Sequence, residues 1–181
     1  MAGSVIFDDR VWRKLIDRCV EMHDKIAKVG VQGEKASAKH DEEGELTNVQ
    51  IAAIHEFNEP GDRPPGRPFI RPVYDDDPAK WQDKIRHAAI NVIKGANPEG
   101  ELRKLGEEYR KDEIDRMKAG IDPPLAESTI NRRKQQNTAA KREQILKREA
   151  AGKGHGLDVT PLIDTGTLMG SISVDVTKRS G

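Results

Sequence analysis

An α+β fold, with a small antiparallel or mixed sheet packed with several amphipathic helices, is predicted by three features of this 181-residue chain. Apolar residues recur at helical spacing in several separate stretches. Only two short stretches, near residues 28–33 and 171–177, alternate in the manner of strands. A polar stretch over 126–150 keeps helix-forming residues without a strong apolar stripe and predicts a long helical extension. The implied organisation is an α+β core over 1–125, a basic helical arm over 126–156, and a C-terminal turn and strand over 157–181 that returns to the core sheet.

The elements follow in order. Trp12, Leu15, Ile16, Cys19, His23 and Ile26 place one amphipathic helix over residues 9–27. Lys28 to Gly33 alternates and reads as a strand, and the polar, aperiodic run 34–45 reads as a loop. Thr47 with Gln50 three residues later forms a capping box, and Leu46 with Ile51 suits a hydrophobic staple. The helix so opened reaches Phe57 and is expected to pack through Ile51, Ile54 and Phe57. Pro60, Pro64, Pro65, Pro68 and Pro72 follow, interleaved with Arg63, Arg67 and Arg71. That stretch is expected to be stiff and extended.

Asp77-Pro78 opens a further helix with Trp81, Ile85, Ala88, Ala89 and Val92 as its stripe. Pro98 opens another, striped by Leu102, Leu105, Tyr109, Met117 and Ile121, with a one-residue slip near Ile114. Pro123-Pro124 ends it. Gly152, Gly154 and Gly156 mark a hinge-like break, and Ser171 to Thr177 supplies the last strand.

The totals exclude several classes. Only 35% of residues are apolar and 34% are charged, so the core is thin for the length, and neighbouring subunits are expected to complete the burial. The 31 basic and 31 acidic residues cancel, which argues against a protein that coats nucleic acid over its whole surface. One cysteine permits no internal disulfide, and Cys19 is expected to be a buried thiol in a reducing compartment. No apolar run approaches the roughly 18–20 residues of a membrane helix. The N-terminus lacks a basic and apolar leader, which predicts a cytoplasmic site of synthesis.

Candidate chemistry is sparse. Ile163-Asp164-Thr165-Gly166 matches the local signature of aspartic proteases, in which two aspartates share a proton. The strand-rich body that must follow such a motif does not fit into the remaining residues, so a helix-capping turn before the last strand is the preferred account. His55-Glu56 resembles the start of a zinc-protease helix, but Glu59 stands where the second histidine belongs. The five histidines show no ligand spacing, and no metal, cofactor or catalytic set is expected. Residues 129–151 are basic: Arg132, Arg133, Lys134, Lys141, Arg142, Lys147 and Arg148 outweigh Glu143 and Glu149. They are candidates for contact with an acidic protein or with DNA phosphates. Arg63, Arg67, Phe69 and Arg71 form a second candidate docking strip, because stiff segments lose little entropy on binding.

Three stretches together resemble a known family. They are Val29-Gly30-Val31 with Ile51 to Phe57 and Arg67-Pro68-Phe69-Ile70-Arg71; Gly120 to Ala126 with Thr129-Ile130; and Pro161 to Gly166 with Leu168 and Ser171-Ile172. In this order the chain resembles the virion-morphogenesis proteins of tailed bacteriophages, the tail-completion, neck and minor-tail type. The resemblance implies a non-enzymatic structural subunit of the virion, made in the bacterial cytoplasm, that forms a ring at the head-tail junction. Six copies are favoured and twelve are possible. The implied partners are the chain itself, neighbouring neck, tail-tube or tail-terminator proteins, and packaged DNA through non-specific contact. Asn58 stands where the family has glycine, and is expected to take the left-handed helix end. Two other functions compete: an aspartic-type protease of virion maturation using Asp164, and a DNA-binding accessory factor using 129–151.

Overall fold

The computed structural model describes residues 9–40, 45–59, 61–135, 160–163 and 166–179. The fold is α+β: helices dominate, and two strands form one antiparallel sheet. In chain order the elements are α1 (Arg10–His23), β1 (Lys25–Val31), α2 (Glu34–Ser37), α3 (Asn48–Phe57), α4 (Arg71–Asp75), α5 (Pro78–Ile93), α6 (Pro98–Ala119), α7 (Glu127–Gln135), α8 (Thr167–Ser171) and β2 (Ile172–Lys178). Strand β2 pairs with β1, as the sequence predicts for the C-terminal strand. The Arg179 amide donates to the Asp24 carbonyl at 2.7 Å, and the Gln32 side chain donates to the Ser173 carbonyl at 3.1 Å.

The described residues divide into two compact units. The first draws on Met1–Lys28, Pro78–Glu108 and Val174–Gly181, the second on Val29–Asp77 and Tyr109–Ser173. Most of the arm expected over 126–156 lies outside the described residues. The boundary between the two units is set by their internal contacts. It falls within both strands and within α6.

In the first unit α1 packs on α5. The α5 stripe is buried at Trp81, Ala88 and Val92, as its spacing predicts, but Ile85 is half-exposed. Helix α1 ends at His23, earlier than its apolar stripe suggests, because the alternating run Lys25–Val31 is taken by β1. No residue of α1 is buried, and Cys19 is exposed, contrary to the expectation of a buried thiol. Only Leu15, Arg18 and Met22 are half-covered, and the rest of the stripe lies outside.

The second unit holds the main apolar cluster: Ala52, Phe69, Met117, Leu168 and Ile172 are buried, with Val31, Ile70, Ile114 and Leu162 packed against them. The α3 capping box forms as read: Thr47 accepts from the Gln50 amide, and the Gln50 side chain accepts from the Thr47 amide. The loop expected over 34–45 contains short α2, and Lys39 pairs with Thr47. The buried face of α3 is Asn48, Ala52 and Glu56; of the expected face, Ile51 packs half-buried against the cluster and Ile54 is half-buried, but Phe57 is not covered. Phe57 is 69% exposed. Asn58 ends α3 in an extended conformation (φ −69°), not the left-handed one expected. Gly166 does take a left-handed conformation and opens α8, the turn predicted before the last strand. Asp164 and Thr165 lie outside the described residues.

Candidate docking segment

Residues 61–70 carry no regular structure, as the prolines predict, but the segment is held by its own chain more than it is offered to others. Helix α3 presents one carboxylate to it. Glu56 is 5% exposed, and one of its oxygens accepts from the amides of Phe69 at 2.9 Å and Ile70 at 3.0 Å. The other accepts from the Arg71 amide at 2.9 Å and the Arg71 Nε at 3.3 Å. Three consecutive amides converging on a carboxylate make a strong, charge-assisted cradle. Arg71 closes it by donating from Nη2 to the Glu56 carbonyl at 3.0 Å and lying 5.3 Å above the Phe57 ring. On α6, the Tyr109 hydroxyl donates to the Ile70 carbonyl at 3.0 Å.

The start of the segment is fixed by backbone contact with the end of α3. The Arg67 amide donates to the His55 carbonyl at 2.7 Å, and the Gly66 amide to the Glu59 carbonyl at 3.0 Å. A Cβ on Gly66 would stand 1.7 Å from the Asn58 carbonyl oxygen, so only glycine fits. His55 beside it is held neutral: burial first, then the Arg67 charge, lower its pKa to about 4.

The arginines and the phenylalanine chosen as docking candidates divide accordingly. Phe69 is fully buried and belongs to the core, so it presents no surface to a partner. Arg67 is also buried, and it donates from Nε and Nη2 to the carbonyls of Pro123 and Pro124 at 2.7 and 3.2 Å. It is an internal staple rather than a docking group. Burial, then Arg133, lowers its pKa. Arg63 and Arg71 are exposed. In the basic stretch, Arg132, Arg133 and Lys134 lie on α7, and Arg133 donates to the carbonyls of Thr160 and Ile163 at 3.3 and 2.7 Å. Lys141, Arg142, Lys147 and Arg148 lie outside the described residues.

Two groups escaped sequence reasoning. Glu56 entered only as half of a failed zinc motif. Its position eight residues after Asn48 and four after Ala52, on one helix face, is the signal that would have found it. Glu113 on α6 is fully buried with neither carboxyl oxygen hydrogen-bonded. Burial, then the charge of Glu56, raises its pKa to about 8 against the opposing pull of Arg110. No sequence pattern marks it, since it stands where the α6 stripe slips.

In the first unit an open cleft of about 370 Å³ is bordered by α5 and α6 residues. Its polar groups pair among themselves: Lys84 with Glu108, and Lys104 and the Asn91 amide with Glu101. Among the described residues no cluster of His, Cys, Asp or Glu could hold a metal ion, and no helix is long and apolar enough to cross a membrane. No family model, no curated protein and no solved structure matches the chain.

Proposed function

We propose that the chain is a structural subunit of a tailed-phage virion that forms a ring at the head-tail junction, in a neck or tail-completion role, and has no catalytic function of its own. The observation that carries the assembly part of this reading is the exposure of large apolar side chains. Val11, Trp12, Ile16 and Val20 on one helix are each at least half exposed, as are Phe57 and Ile93. Exposed apolar patches of this kind mark surfaces that are covered in an assembly. Identical subunits that meet head to tail either close into a ring or grow into a filament, and a junction on a tubular tail calls for closure. The Glu56 cradle supports the same reading, since it fixes Arg71, whose guanidinium lies over the exposed Phe57 ring, and a pre-ordered pair meets a partner at low entropic cost. The phage context rests on the three sequence stretches described above.

The test is the stoichiometry of the chain in purified particles, measured by quantitative mass spectrometry against the major tail protein. Six copies per particle are expected, or twelve. A single copy, or a chain confined to the soluble fraction of infected cells, overturns the ring.

A further inference from the structure

Helix α1 is 14 residues long and has two unlike apolar faces. Leu15, Arg18 and Met22 are half-buried, and the Arg18 guanidinium reaches Gly95 at the end of α5, so this is the face that α5 covers. The adjoining face carries Trp12, Ile16, Cys19 and His23, all exposed, with Trp12 and Ile16 both at 57%. The intervals between these four are four, three and four residues. That alternation is the seam of a helix that packs lengthwise against another helix.

The charges beside the seam select the occupant and its direction. Arg13 and Asp24 lie on the same flank at opposite ends of α1. Each has an exposed neighbour within its own chain, Arg13 the Asp9 carboxylate at 2.6 Å and Asp24 the His23 ring at 3.2 Å, and exposed pairs of this kind are weak enough to be exchanged. Arg13 and Asp24 themselves are eleven residues apart, about 16 Å along a helix, too far to meet within one chain. We propose that α1 pairs antiparallel with the α1 of a second copy of this chain about a two-fold axis. The axis brings Arg13 of each copy to Asp24 of the other, sets Trp12 against His23, and sets Ile16 against Cys19. A parallel pair would bring Arg13 to the flank of Leu15 and Arg18, with no acidic partner there. The antiparallel arrangement also opposes the two helix dipoles. An isologous contact of this kind cannot by itself close a ring. It describes how free copies shelter the α1 face, and it stands or falls separately from the ring.

The full chain is tested in dilute buffer by sedimentation equilibrium and by a short bis-maleimide, with folding of each variant checked by circular dichroism. Cys19 is the sole cysteine, so any cross-link reports on α1. A monomer-dimer equilibrium and a single cross-linked dimer are expected. Ile16→Asp should weaken the dimer at least tenfold. Arg13→Glu and Asp24→Arg should each weaken it severalfold, and the two together in one chain should restore it, since only contact between copies can reunite the swapped charges. A chain that stays monomeric, a cross-linked ladder beyond the dimer, or failure of the double variant to recover would overturn the pairing. So would Cys19 protection that appears only when tail particles are added, which would mean another protein covers α1. Both readings draw on the bare face of α1, but copy number in the particle is a separate measurement, so failure of the pairing and failure of the ring are distinguished.

Discussion

At the scale of single residues, two buried glutamates with opposite circumstances set the behaviour of the second unit. Glu56 accepts from three amides and a guanidinium. Removing it leaves those amides buried without a partner, so Glu56→Ala should cost about 3–5 kcal/mol in a denaturant melt. Glu56→Gln, which keeps one acceptor oxygen, should fall between that variant and the parent. Glu113 has no hydrogen-bond partner and is held protonated up to about pH 8 in the folded chain, against an ordinary value of 4.5. Between those two pH values the folded state keeps a proton that the unfolded state has released. Glu113 therefore lowers stability as pH rises from about 4.5 to about 8, while His55, whose pKa falls from 6.5 to about 4 on folding, raises it between about 4 and 6.5, so the net fall is expected between about 6.5 and 8. Glu113→Gln should remove most of that slope, and the parent and variant should converge at acid pH. A parent whose stability rises steadily across this interval, with no difference from the variant, would show that Glu113 is ionised and solvated.

At the scale of elements, much of the architecture was legible. The Thr47 capping box, the proline-opened α5 and α6, the turn at Gly166 and the alternation of the last strand are local signals, and each element forms where its signal lies. What escaped the sequence was the direction in which a helix faces. The stripe through Ile51, Ile54 and Phe57 is as regular as the buried face at Asn48, Ala52 and Glu56. The second face wins because its carboxylate satisfies the amides of the 69–71 segment, a long-range need that no local pattern announces. The docking segment was legible as stiff and irregular, but the burial of Arg67 and Phe69 was not, because their partners come from residues far along the chain. Its start depends on a single close approach. Gly66→Ala would drive a methyl group into the Asn58 carbonyl, where backbone rather than a flexible side chain must yield. A loss of at least about 3 kcal/mol is expected in the same melt, toward the upper end of overpacking penalties. A fully stable alanine variant would mean that the segment leaves α3 along another path.

At the scale of the whole molecule, the composition limits how much apolar surface the chain can cover by itself. Among the described residues the main cluster of the second unit holds five buried apolar residues, and the first unit relies on the α5 stripe. The thin core was legible from the totals, whereas the location of the uncovered surface required the structure, since α1 has the same amphipathic spacing whether its face is covered or bare. The chain's two tryptophans both belong to the first unit and report the two conditions separately. Trp81 is 2% exposed, with Lys80 and Lys84 ammonium groups 5.2 and 5.8 Å from its ring centre. Trp12 is 57% exposed. A neutral quencher such as acrylamide avoids the bias that those lysines would give an anionic one. In a dilute sample of Trp81→Phe, Trp12 emission should be quenched strongly and should shift toward the red. In Trp12→Phe, Trp81 emission should be quenched severalfold less and should stay blue. Raising the protein concentration should protect Trp12 alone, because burial at a contact between copies removes water and quencher together. Equal quenching of both rings in the dilute sample would mean that the bare face of α1 is already covered within the single chain, and the composition would then have to be reconciled with a larger core than these residues form.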